Sequence, residues 1–224
     1  MEILAQKMAN AISRSLHYDV EKEKVIAYGL TAMIQTIATV LLTFILSLLL
    51  GTPVEALIIC FSVSLLRRFS GGTHVRYIEE CTMIGVLYCV SFSFVSKYLL
   101  LAVLNFYWMS AAISIVYIWS FLMVYRLAPV DCPNKPIRSE NKKKRMRKGA
   151  FITLFVLLSF SVLFLLLSLR FQYMDSLGVS LLFGVVWQTF TLTKFGSIFL
   201  NKIDTIISRV FQIGKECICN EKTK

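Results

Sequence analysis

Charge is what this sequence has least of. Asp, Glu, Lys and Arg make up 17% of its 224 residues, where soluble domains carry about a quarter. Together with 57% hydrophobic residues and a mean hydropathy of +0.69, this excludes an ordinary water-soluble domain. No cleavable leader is expected, because the first apolar run begins only after Lys22 and Lys24 and the N-terminus is amphipathic. No Gly-rich nucleotide-binding loop is present, so a transporter built on this chain would need another energy source. The six cysteines (Cys60, Cys81, Cys89, Cys132, Cys217, Cys219) form no paired framework. Three of them lie in or beside apolar runs, and reduced thiols are expected. A zinc set drawn from Cys132, Cys217, Cys219 and His17 has poor spacing. Neither a metal nor any other cofactor is expected.

What is abundant is apolar sequence gathered into runs, the pattern of a polytopic membrane protein. Residues 1–22 place Leu4, Met8, Ile12 and Leu16 at steps of four, which predicts an amphipathic helix lying in the interface or docked on the bundle. Spans are expected at about Val25–Leu50, Val54–Leu66, Thr82–Leu104, Phe106–Val124, Ala150–Leu169 and Leu177–Leu200. The second is only 13 residues, about 20 Å as a helix against a core of roughly 30 Å, so it is a short crossing or a deep re-entrant element. The expected fold is therefore all-α, with about six membrane-crossing helices and an N-terminal amphipathic helix. It forms one integral-membrane domain over 1–224, with a basic cytoplasmic loop at 128–149 and a cytoplasmic tail at 201–224.

The formal net charge of +11 could suggest a nucleic-acid partner, but its distribution argues for the bilayer instead. With both termini cytoplasmic, all of the 24 Lys and Arg residues fall on inner segments except Lys97, Arg170 and Lys194. That is the asymmetry of the positive-inside rule. It places the protein in the cell membrane as a multi-pass chain.

Between the short run and the next span stands Arg67-Arg68-Phe69-Ser70-Gly71-Gly72-Thr73-His74, followed seven residues later by Cys81. A thiol and an imidazole can serve as nucleophile and base, the imidazole first taking the thiol proton and later giving it to a leaving amine. Arg67, Arg68 and Arg76 make the neighbourhood electropositive, which favours a thiolate. In one unbroken helix the two side chains would sit about 10 Å apart along the axis, too far for proton transfer. A break is therefore expected at Gly71-Gly72, with Cys81 near the start of the following helix.

Arg67-Arg68, Gly71-Gly72, His74 and Cys81, together with Ala128-Pro129-Val130-Asp131-Cys132-Pro133-Asn134-Lys135-Pro136-Ile137, resemble the accessory gene regulator B family. The resemblance runs over nearly the whole chain. It implies a membrane cysteine endopeptidase that processes the precursor of a cyclic autoinducing peptide in Gram-positive quorum sensing. By the same resemblance Cys81 is the nucleophile, His74 its partner, and Arg67 and Gly72 are further positions needed for activity. The implied partners are the precursor, with its acidic C-terminal tail, the bilayer, and a second copy of the chain in a homodimer.

The remaining candidates are less specific. Glu79 and Glu80 either orient His74 or are solvated acids at a helix start. Cys60 and Cys89 read as small packing residues. Lys142, Lys143 and Lys144, in the basic run after the Pro-Asn-Lys-Pro stretch, either hold topology against anionic lipid or dock the acidic tail of the substrate. An exporter or channel with Lys97 and Lys194 along a polar path is the rival reading, and a non-enzymatic scaffold is a third.

Overall fold

The computed structural model describes residues 2–16, 18–72, 78–99, 105–130, 140–203 and 205. Among these the regular elements are all helical, as expected. They are α1 (Glu2–Leu16), α2 (Val20–Leu49), α3 (Pro53–Ser70), α4 (Ile78–Phe94), α5 (Phe106–Leu127), α6 (Glu140–Ser168), α7 (Tyr173–Thr191) and α8 (Lys194–Ile203).

By length and composition α2, the α4 segment, α5 and α6 can each cross a membrane, and α7 with α8 qualifies only as a bent pair. Along α2, apolar side chains such as Val25, Met33, Ile37, Leu41 and Ile45 stand exposed. In water such a face would be an aggregation surface; against acyl chains it is solvated. The rise of α3 exceeds the apolar run within it. Its 18 residues give about 27 Å, because the helix continues through Arg67 and Arg68, whose charges suit a helix C-terminus. It also carries Glu55, so packing rather than apolarity holds it in the bundle.

That packing comes chiefly from α7, the most completely buried helix. Its small residues Ser176, Gly178, Ser180 and Gly184 let neighbouring helices approach closely, the device on which membrane bundles rely. Glu55, fully buried on α3, accepts from Ser176 Oγ at 3.2 Å and lies 3.8 Å from Lys97 Nζ. Lys97 itself donates to the Gly51 carbonyl at 2.5 Å. It sits in a π-helical turn, Val95–Leu99, that continues α4. From the same turn Ser96 donates to the Ser176 carbonyl at 2.7 Å. A charged group within a membrane domain needs such partners, and these close one end of the bundle.

Two expected elements differ, and for a third, α1, one of the two open readings holds. The last span does not run from Leu177 to Leu200: the chain bends by 92° between α7 and α8. Thr193 makes the corner, accepting at Oγ1 from the N–H of Gly196 at 3.0 Å as a helix cap does. Gly196 packs where any Cβ would strike the Phe190 carbonyl. The basic segment 128–149 is not all loop, since α6 begins at Glu140; Lys and Arg are good helix formers and no Gly or Pro interrupts them before Gly149. Finally, α1 packs on α2 through Ala5, Ala9 and Ser13, while Leu4, Met8 and Leu16 of the apolar stripe stay exposed. The helix is thus docked by its small face, and the stripe is left for lipid.

Close packing of α7 on α3 makes a testable demand. A Cβ at Gly184 would meet Ser62 Oγ and the Ile59 carbonyl, whereas one at Gly29 meets nothing within 4 Å. Gly184→Ala should cost about 1–3 kcal/mol by overpacking, and Gly29→Ala should cost nothing. Thermal unfolding in detergent micelles separates the two; equal melting points would contradict the packing described.

Candidate active site

The end of the bundle opposite Glu55 is assembled from both motif segments. Gly71 terminates α3: its N–H closes on the Arg67 carbonyl at 3.0 Å and its φ is +71°, a region that favours glycine. Helix α4 then starts at Ile78, so the expected break is present and Arg68 and Cys81 do not share a helix. The turn is docked on the segment after α5. Val130 N–H donates to the Ser70 carbonyl at 3.0 Å and Gly71 bridges to Val130. A Cβ at Gly71 would come within 2.5 Å of the Val130 oxygen. Two stretches nearly sixty residues apart are thereby joined by main-chain contact that only glycine permits.

Cys81 lies in the first turns of α4, half-buried and free, with Arg67 Nη2 at 3.9 Å from its Sγ. The guanidinium and the positive end of α4 both attract negative charge developing on that sulfur. Of the two neighbouring acids, Glu79 is exposed, as solvated helix-start acids are, whereas Glu80 is 6% exposed and belongs to the interior. Gly72 faces α7: a Cβ there would stand 3.2 Å from Thr191 Oγ1 and 3.3 Å from Gln188 Nε2. His74 and Arg76 fall outside the described residues, as do His17, Cys132, Cys217 and Cys219.

The basic run contributes structure as well as charge. Arg147 Nε donates to the Ala128 carbonyl at 2.9 Å, which holds the end of α5 where the Pro129-Val130 segment begins. Two residues on, Gly149 lets the Phe69 ring lie against α6. Lys142 and Lys144 are exposed on the first turns of α6, with Lys143 partly covered between them. Cys60 and Cys89 are 2% and 4% exposed and pack with Ile59, away from Arg67. Lys97 sits at the far end of the bundle, engaged with Gly51 and Glu55, while Lys194 is exposed on α8. The two lysines of the rival reading therefore do not line one path.

Sequence reasoning overlooked Gln188 and Arg147 as parts of this end, and it named Val130 only within the second motif segment. Gln188 carried a legible signal, an amide within an otherwise apolar run. The bridge from Val130 to Gly71 and the clamp of Arg147 on Ala128 carried none, because both depend on where the segments meet.

Comparison with known proteins identifies the family. The family described as accessory gene regulator B matches residues 5–192. An AgrB-like protein of Clostridium perfringens strain SM101 is 34% identical over 94% of this chain and 99% of its own length. A second from strain 13 of that species is likewise 34% identical over the same shares. One from Halalkalibacterium halodurans is 26% identical over 88% of each chain. No solved structure matches. With its two motif segments joined at one end of a helical membrane bundle, this chain belongs to the accessory gene regulator B family.

Proposed function

We propose that this protein is a membrane cysteine endopeptidase that cleaves the C-terminal tail from a quorum-sensing peptide precursor and promotes cyclisation of the remainder. Family membership supports a role in peptide processing. The observation that carries the catalytic assignment is the Cys81–Arg67 contact at 3.9 Å, at the end where Gly71 is paired with Val130.

In this reading Cys81 Sγ attacks the carbonyl carbon of the scissile peptide bond as its proton passes to His74. The C–N bond breaks, His74 returns the proton to the departing amine of the tail, and the precursor's N-terminal part remains as a thioester on Cys81. A cysteine or serine within the precursor then attacks the same carbon. The C–S bond to Cys81 breaks, a thiolactone or lactone ring closes, and Cys81 regains a proton. Water is not consumed, and limited water at a membrane edge favours the internal nucleophile. Arg67 supports both steps, because negative charge gathers on Sγ before attack and again as Cys81 leaves. Gly72 serves by its smallness beside Gln188 and Thr191. Lys142, Lys143 and Lys144 are proposed to dock the acidic tail.

Coexpression with the cognate precursor tests the assignment. Cys81→Ala and His74→Ala should abolish tail release, while Cys60→Ala and Cys89→Ala retain most of it; continued release by Cys81→Ala would refute the nucleophile. Arg67→Met should slow turnover by about 10²-fold.

Docking is separable by kinetics. Replacing Lys142, Lys143 and Lys144 together with Gln should raise KM for the precursor with little change in kcat, since remote contacts contribute mostly uniform binding. An unchanged KM in a correctly inserted protein would leave the run a topological role alone.

A further inference from the structure

The turn after α3 is held by one long-range side chain, and nothing in the proposed chemistry yet uses it. Gln188 lies near the end of α7 and is fully buried. Its Nε2 donates to the Gly71 carbonyl at 2.7 Å and to Ser70 Oγ at 3.0 Å, so both amide hydrogens go to the residues that end α3. Its Oε1 finds no donor among the described residues. An amide buried in an apolar bundle with one acceptor left open is costly, and a side chain chosen for packing alone would be apolar.

The other contacts of this turn show what Gln188 adds. Val130 and Arg67 hold it through the main chain. Neither acts on the Gly71 carbonyl, whose orientation sets the peptide plane leading into Gly72; that oxygen accepts from Gln188 at 2.7 Å and from the Ser70 hydroxyl at 3.2 Å. In sequence, that plane leads into the segment that contains His74. A misplacement of about 1 Å at reacting groups can slow catalysis by roughly 10²-fold, so an anchor on this plane bears on rate even without touching substrate.

We propose that Gln188 is the positioning residue of the candidate site, fixing the Gly71–Gly72 turn by donating to the Gly71 carbonyl and to Ser70. The proposal rests on the peptidase reading given above, and it assigns Gln188 no contact with substrate. It therefore acts on kcat and leaves precursor binding alone. It also couples Gln188 to Ser70, because the two share one hydrogen bond.

The test compares wild-type protein, Gln188→Met, Ser70→Ala and the double variant, reconstituted in vesicles and assayed for tail release from the precursor. Gln188→Met, close to the native volume, should lower kcat about tenfold with KM within about twofold. Ser70→Ala should lower kcat about threefold, and the double variant should fall by less than the two losses combined, as residues sharing an interaction do. Wild-type kcat in Gln188→Met, or additive losses in the double variant, would overturn the proposal. So would a rise in KM matching the fall in kcat. Should Gln188→Met fail to insert, Ser70→Ala carries the test alone, and an unchanged kcat there overturns it. Tail release that persists in Cys81→Ala would instead refute the peptidase reading, so the two failures are distinguishable.

Discussion

The close approach of α7 to α3 is the constraint on which the rest of the molecule depends. Helix α3 is poorly suited to lipid: it carries Glu55 near one end and Arg67 and Arg68 near the other. Without a hydrophobic force between helices in a bilayer, association relies on close packing and hydrogen bonds. Helix α7 supplies both along its length. Ser176 bonds Glu55 at one end, Gly184 admits Ser62 in the middle, and Gln188 holds Ser70 and Gly71 at the other. A helix unfit to stand alone is thereby fixed at three levels, and its last turn can present Arg67 to Cys81.

The two ends of the bundle divide the work. At the Glu55 end most of the polar groups engage each other: carboxylate, ammonium, hydroxyls and two carbonyls meet around the π-helical turn of α4. At the Cys81 end the sulfur is half-buried, with a guanidinium at the long limit of contact. The cations of α6 stand outside it, one of them, Arg147, committed to the Ala128 carbonyl. The first end has the character of a fastening; the second holds a half-buried thiol beside a cation. This asymmetry fits a site at one membrane face better than a path through the bundle.

Much of this was legible in the sequence, and the exceptions have physical causes. The helical class followed from apolar runs, and the break at Gly71-Gly72 followed from the reach that a thiol–imidazole pair requires. The bend after Thr191 was hidden because Leu192 to Leu200 is as apolar as a span, and its corner depends on one threonine cap and one glycine contact. The start of α6 was hidden because a run of cations reads as a solvated loop, although nothing in Lys142–Lys148 opposes a helix. Cys60 and Cys89 packed as small apolar residues, as their surroundings in the sequence suggested. The joining of Gly71 to Val130 was beyond local reading, because it depends on how α3, α5 and α7 pack.

The central claim is that Cys81 becomes acylated by its substrate. A precursor whose internal nucleophile is replaced by Ala cannot close its ring, so the acyl group should accumulate on the protein. Mass spectrometry after mixing should then show the protein heavier by the precursor's N-terminal fragment, with the adduct mapped to Cys81 and released by neutral hydroxylamine. Release of the tail with no adduct on Cys81, or with the adduct on another residue, would contradict the account.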